Sequence, residues 1–384
     1  MRILHTADWH VGKKLGRIDR QSEYETAIDE VVEIARDQKV DLVIVAGDLF
    51  DRANTPLDSM GLVVDGLIRL ADAAGTVVAM PGNHDSAHLF DFLAPLLEGR
   101  GVLLSPRLKR PADGGVVSVP SRDGTEAASI AVLPFIHEAD VVEDFMDASE
   151  EWFKEYADRI KAISAALCAV IDPKTVGILT GHFFVDGAEV GGGERRMHIG
   201  PQFAVSNQAI PPGIHYAALG HIHRPQAIAG SAIPARYSGS LIQLDFSERA
   251  HDKGVVIIDA KPGTPAKIEP VLLSSGRKLI RLEDDLESLE KRAKEFGDAY
   301  LDVRVLTDGP VLGLAESVRK ILPNALIVQA VYERQPTEVA LSSSERSLSE
   351  SYSDYFSHRH GAEIPKDLSD LVRSLEEEVV RAAS

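Results

Sequence analysis

Asp41-Leu42-Val43-Ile44-Val45-Ala46-Gly47-Asp48-Leu49-Phe50-Asp51-Arg52 decides the fold. Its first half is a continuous apolar run rich in β-branched residues, typical of a strand buried on both faces. Its second half turns at a glycine and delivers two carboxylates. The pattern recurs along the chain. Residues 2–6 lead to Asp8-Trp9-His10, and residues 76–80 lead to Gly82-Asn83-His84-Asp85. Residues 175–180 lead to Gly181-His182, and residues 215–219 to Gly220-His221-Ile222-His223. Helical patterns at 24–37 and 56–73 separate the early strands. Such alternation predicts a layered α/β domain. Residues just past the carboxyl ends of its strands can converge on one site.

Size and composition bound the reading. A length of 384 residues favours two or three domains. An apolar content of 44% is ordinary for a protein with a real core. The formal net charge of −18 argues against a chain that coats nucleic acid nonspecifically. It leaves room for a nuclease with a local basic patch. Cys168 is the only cysteine, set in the apolar stretch 163–171, and is expected to be a core residue. An intrachain disulfide and a cysteine zinc cluster are both ruled out, which fits a reducing compartment. The first five residues run straight into a strand, which predicts no signal peptide. No apolar run approaches the ~18 residues of a membrane span. The expected location is the cytoplasm.

The blocks carry metal chemistry. Asp8 and His10, two apart on a loop, can point at one ion, and the two oxygens of Asp48 can bridge two ions. Asn83 offers a carbonyl oxygen; His182, His221 and His223 offer imidazole nitrogens. Oxygen and nitrogen donors without thiolate suit Mn²⁺, Fe²⁺ or Zn²⁺. Two ions ~3.5–4 Å apart clamp the attacking and leaving oxygens of a displacement at phosphorus. A lone Asp-x-His or a lone Gly-Asp is common by chance. Five blocks, each after a strand, are not.

Beyond residue 240 the character changes. Residues 254–258 read as a last core strand and 261–265 as a turn. From about residue 279 comes strand, helix (286–296), strand (299–305), helix (310–321), strand (326–331), a small α+β unit without histidine. Residues 342–353 read as a polar linker. In the tail, Ile364, Leu368, Leu371, Leu375 and Val379 fall on one helical face. That stripe either packs on its own protein or is offered to a partner.

Details of the blocks resemble a known family. His5-Thr6-Ala7-Asp8-Trp9-His10-Val11-Gly12, Gly82-Asn83-His84-Asp85-Ser86, Gly220 to Gln226 and Tyr237-Ser238-Gly239-Ser240 resemble the SbcD nuclease subunits of the calcineurin-like metallophosphoesterase superfamily. The likeness covers residues 1 to about 260 by motif. It implies a layered α/β sandwich (1–270), a small α+β capping domain (271–340), and a linker with C-terminal helices (341–384). It implies one metal on Asp8, His10, Asp48 and His223, and a second on Asp48, Asn83, His182 and His221. The usual ion would be Mn²⁺, two per chain, with Fe²⁺, Zn²⁺ and Mg²⁺ also open. His84 would stand by the scissile phosphate without being a ligand. Asp85 would orient His84, with a loop-capping turn of equal standing.

The implied activity is a DNA nuclease, 3′→5′ exonucleolytic on duplex ends and endonucleolytic on single strands and hairpins. It would work with an SbcC-type ATPase, docked on the 364–379 stripe, as a homodimer within a heterotetramer. The run Leu89 to Leu97 could supply the dimer contact or ordinary core. The chain has no Gly-x-x-x-x-Gly-Lys-[Ser/Thr] loop of its own. Lys13, Lys14, Arg17 and Arg20, Arg195 and Arg196 in the glycine-rich loop 191–196, and Arg224 are candidate phosphate contacts. A solvated surface is the plain alternative for each. Where the family usually has a Ser-rich stretch, this loop has Gly191-Gly192-Gly193. Two other readings stand beside the nuclease: a small-molecule phosphodiesterase or protein phosphatase on the same scaffold, and a DNA-docking scaffold. Protein phosphatases carry Gly where Ala53 stands and Glu where Asp85 stands, which weighs against them.

Overall fold

The computed structural model describes residues 1–136, 156–194, 203–332, 347–360 and 363–382. In chain order the strands are β1 (Arg2–Thr6), β2 (Leu42–Val45), β3 (Thr76–Ala79), β4 (Val102–Leu104), β5 (Val116–Pro120), β6 (Ala127–Leu133), β7 (Val176–His182), β8 (Tyr216–Gly220), β9 (Gln226–Ala227), β10 (Ala235–Tyr237), β11 (Gly254–Asp259), β12 (Lys267–Leu272), β13 (Leu279–Asp284), β14 (Tyr300–Leu306) and β15 (Ala325–Val331). The helices are α1 (Gln21–Asp37), α2 (Leu57–Ala74), α3 (Ala87–Leu97), α4 (Tyr156–Ala169), α5 (Leu286–Arg292), α6 (Leu314–Ile321), α7 (Leu348–His360) and α8 (Lys366–Ala382).

Two six-stranded sheets form the body, in the orders β12-β11-β1-β2-β3-β4 and β5-β6-β7-β8-β10-β9. Alternate residues of the inner strands explain why their sequences are apolar throughout. Ile3, Leu42, Ile44 and Val78 meet Ile130, Ile178 and Ala218 between the sheets. Leu4, Val43, Val45 and Val77 face outward onto Tyr24, Ile28 and Val31 of α1 and Val63, Leu67 and Leu70 of α2. Leu179 and Leu219 face the opposite way, onto Ile160, Ile163 and Leu167 of α4. The layers are therefore helix, sheet, sheet, helix. β1 to β4 run parallel, as do β6, β7, β8 and β10. In each sheet the parallel run brings the carboxyl ends of its strands to one edge, where the five blocks lie.

The helices end where local chemistry ends them. α2 stops at Gly75, with φ of 95°, a conformation that glycine adopts without strain. α3 starts at Ser86, whose Oγ accepts from the Leu89 amide at 3.3 Å.

Residues 279–331 make a third sheet, β13-β14-β15, with α5, α6 and a core of their own around Leu289, Leu301, Val303 and Val318. This small unit is tied to the body. Glu23 of α1 accepts from the Tyr300 hydroxyl at 3.0 Å and from the Arg277 amide at 2.9 Å. Gln243 accepts from the Leu279 amide at 2.8 Å. The Arg277 guanidinium lies 3.8 Å above the Tyr300 ring.

Three elements of the C-terminal part differ most from the sequence reading. The helix expected over 310–321 begins at Leu314, after Gly313 at φ of 74°. The helix expected over 286–296 ends at Arg292 and tightens into a 3₁₀ turn, Ala293–Phe296. The linker expected over 342–353 gives way to α7 from Leu348 onward. The Glu376 carboxylate of α8 accepts from the Leu348 and Ser349 amides at 2.7 and 3.3 Å, satisfying the first turn of α7.

By contacts, Met1–Thr307 and Val311–Ala330 form one unit; Asp308–Pro310 and Val331–Ser384 form a second, which holds α7 and α8. On α8, Leu371 and Leu375 are 54% and 50% exposed, while Ile364 and Leu368 are half-buried. The side chain of Val379 lies outside the described residues. No described helix is long and apolar enough to cross a membrane.

Candidate metal centre

Asp8, His10, Asp48, Asn83, His84, His182, His221 and His223 are all buried. Asp8 and His10 follow β1, Asp48 follows β2, Asn83 and His84 follow β3, His182 ends β7, and His221 and His223 follow β8. Both sheets thus contribute. The chain bends sharply to deliver these side chains. Among the described non-glycine residues, Asp8, His10, Lys39, Asp48 and His221 have positive φ, at 52°, 50°, 51°, 54° and 103°. Four of the five are site residues. Asp and His tolerate the left-handed region better than most residues. The cost is still about 1–3 kcal/mol each. Flanking strands hold it, since each buried Val, Ile or Leu contributes roughly 1.5–3 kcal/mol.

Each carboxylate is pinned by one oxygen and presents the other. Asp8 Oδ1 accepts from the His221 amide at 2.9 Å, and Asp8 Oδ2 has no hydrogen-bond partner among the described residues. Asp48 Oδ1 accepts from the His84 amide at 2.8 Å. Its Oδ2 stands 3.5 Å from His10 Nε2 and 3.4 Å from His182 Nε2. Gly82 permits this approach, since a Cβ there would collide with Asp48 Oδ1 and lie 2.6 Å from His182 Cε1.

The imidazoles are pinned from outside in the same way. His182 Nδ1 donates to the Ala46 carbonyl at 2.8 Å, which turns Nε2 inward to within 3.0 Å of Asn83 Oδ1. His223 Nδ1 donates to Glu248 at 2.9 Å, which leaves His223 Nε2 3.0 Å from His10 Nε2. His221 Nδ1 is 2.8 Å from Asn83 Oδ1. With its proton at Nδ1, His182 faces the Asn83 oxygen lone pair to lone pair at hydrogen-bond distance, an arrangement that needs a proton or a cation between them. Donor atoms gather within 4.8 Å of one another in three overlapping groups: Asp8, His10 and His223; His10, Asp48 and His84; Asp8, Asp48 and His182.

The electrostatics point the same way. Burial pushes the Asp8 carboxyl up to about 6. Burial opposes ionisation of Asp48 too, but His182 and its neighbours hold that carboxyl well below the usual range. Burial works to lower His182, and Asp48 overrides it, raising the imidazole to about 9. Burial drives His10 well below the ordinary histidine value. Buried anions and imidazoles here compete for protons that a divalent cation would displace. The donor set fits such an ion.

His84 Nδ1 donates to the Asp51 carbonyl at 2.7 Å. Both Asp85 oxygens accept backbone amides, from Leu49 at 3.1 Å, Phe50 at 2.9 Å and Gly82 at 2.9 Å. Asp85 therefore ties two loops together, and the carbonyl of Asp51 does the orienting of His84 that the resemblance gave to Asp85. Burial and the nearby Asp48 raise the Asp85 carboxyl to about 7. Of the candidate phosphate contacts, Lys14 and Arg17 are exposed and Lys13 is half-buried near Asp51. Arg224 is ion-paired with Glu189. Arg20 drops out as a groove residue: it is buried and holds Glu23 with two bonds, at 3.0 and 2.8 Å. Arg195 and Arg196 lie outside the described residues.

Sequence reasoning missed Glu194, Glu248 and Lys253, which are buried behind His223. Nothing local marks them, because a glutamate destined for burial reads as a surface charge.

Residues 1–225 match the calcineurin-like phosphoesterase family, and residues 275–363 match a type 5 capsule protein repressor C-terminal domain. Among curated relatives, the SbcD subunit of the nuclease SbcCD from Bacillus subtilis (strain 168) is 30% identical, with 98% of this chain and 99% of the relative covered. Its namesake from Escherichia coli (strain K12) is 30% identical, over 89% of this chain and 84% of the relative. That of Rhodobacter capsulatus is 32% identical, over 88% and 86%.

Proposed function

The chain belongs to the calcineurin-like phosphoesterase family, among the SbcD nuclease subunits, and from that premise we propose a metal-dependent DNA nuclease that works with an SbcC-type ATPase. One observation carries the two-ion reading: a single oxygen, Asp48 Oδ2, stands within 3.5 Å of His10 Nε2 and 3.4 Å of His182 Nε2. That placement supports Asp48 as the ligand that would be shared by two ions. In the proposal, Asp8, His10, Asp48 and His223 hold one Mn²⁺, and Asp48, Asn83, His182 and His221 hold the other. Such a pair, when bound, supplies Lewis acidity and a nucleophilic hydroxide to phosphodiester hydrolysis.

The protein's own groups do the rest. With Nδ1 engaged by Asp51, His84 meets the phosphate through Nε2, where it stabilises charge or hands a proton to the leaving oxygen. Lys13, Lys14, Arg17, Arg195, Arg196 and Arg224 are proposed to track the DNA backbone. The unit within 271–340 is proposed as a cap over the body (1–270). Residues 341–384 are proposed to dock the ATPase through Ile364, Leu368, Leu371, Leu375 and Val379. Digestion from 3′ ends, opening of hairpins, a homodimer within a heterotetramer, and action in the cytoplasm at the nucleoid complete the proposal.

The test is cleavage of end-labelled linear duplex DNA with Mn²⁺, with and without the ATPase, beside EDTA and Asp48→Ala. Shortening that needs Mn²⁺ and Asp48 is expected. Turnover of a small phosphodiester with DNA left intact under all conditions would sink the nuclease reading.

A further inference from the structure

Behind His223 lies a charged network to which the hydrolysis gives no task. Glu248 is fully buried. Its Oε1 accepts from His223 Nδ1 at 2.9 Å. Its Oε2 accepts from the Leu244 amide at 3.0 Å and from Lys253 Nζ at 2.7 Å. Lys253, 6% exposed, also donates to Ser240 Oγ at 2.8 Å and to the His223 carbonyl at 2.9 Å. From the other side, Glu194 accepts from the His223 amide at 3.0 Å and from the amides of Gly191 and Gly192 at 2.7 and 2.6 Å. Gly193 closes over the pair: a Cβ there would come within 2.5 Å of Glu248 Oε1 and 3.0 Å of His223 Nδ1.

Every polar group of His223 except Nε2 is thus committed. Stability alone does not call for this, because an apolar pair of similar volume often serves as well as a buried ion pair. His182, by contrast, is oriented by the neutral carbonyl of Ala46. We propose that Glu248 is the positioning residue of His223, with Lys253 as its counter-charge. Together they hold the Nδ1–H tautomer, aim Nε2 at the ion shared with Asp8 and His10, and set the affinity of that ion. This deepens the metal-centre reading and rests on it.

The experiment titrates the metal-free, full-length protein with Mn²⁺ by calorimetry. The wild type is compared with Glu248→Gln and with the double variant Glu248→Leu, Lys253→Met, which removes both charges at once. Two bound ions are expected in the wild type. In the double variant one ion should weaken by about 10–100-fold, the usual effect of losing an outer partner, while the other holds its affinity. Nitrogen-detected NMR of labelled histidine in the metal-free proteins reads the orientation directly. His223 should be the Nδ1–H tautomer in the wild type and a mixture in the double variant.

A wild type that binds no Mn²⁺ would overturn the metal centre and this proposal with it. Two ions bound with equal affinity by wild type and folded double variant would overturn this proposal alone. If the double variant does not fold, Glu248→Gln decides: a several-fold loss at one ion upholds the proposal, and wild-type binding overturns it.

Discussion

His84 is separable from the donors it stands among. Its ring edge meets His10 at a centroid distance of 4.5 Å, yet its outer nitrogen is held by the Asp51 carbonyl. His84→Ala should leave Mn²⁺ uptake nearly unchanged and lower kcat by about 10²–10⁴-fold, as single-turnover cleavage and calorimetry would establish. Loss of both ions in that variant would make His84 a ligand instead. Gly82→Ala should do the opposite. Its new methyl collides with Asp48 Oδ1, so Mn²⁺ binding itself should fail, read by the same titration. The donors were legible because each block follows an apolar run. Asp85 was legible only as a carboxylate in the right place. Its work as a tie between the loops at Leu49 and Gly82 depends on three amides that no sequence pattern announces.

At the scale of elements, the seam between α1 and β14 is electrostatic. Burial raises the Glu23 carboxyl, but its bonds from Arg20 and others outweigh that and hold it below the ordinary value. A carboxyl depressed on folding adds stability above its unfolded value, roughly 4.3, and loses it as pH falls through the folded value. Thermal unfolding of the wild type should therefore drop more steeply than that of Glu23→Gln below about pH 4.3. Parallel slopes would remove Glu23 from the seam. On α8 the expectation concerns binding rather than stability. Leu371→Glu with Leu375→Glu alters exposed positions and should shift stability by no more than about 0.5 kcal/mol per site. It should abolish co-purification with the ATPase. The long helices α1 and α2 were legible from period; α7 was not. Its amides are capped by Glu376, twenty-seven or twenty-eight residues away in the chain, and local polarity alone reads as a linker.

Across the whole molecule, burial of so many donors makes metal a folding ligand. Saturating Mn²⁺ at 100 times its Kd should add about 2.7 kcal/mol per ion. EDTA should lower the unfolding midpoint of the wild type and leave that of Asp48→Ala where it is, by calorimetric scan. Strand identity was legible, but strand partnership was not: periodicity cannot say that β1 and β7 belong to different sheets. That division couples the site to the fold. Asp8, carried by one sheet, is clasped by the main chain of His221, carried by the other, and Asp48 reaches His182 across the same gap. Cutting power and closure of the sandwich are then one event. A molecule whose two sheets have not yet joined has no complete donor set.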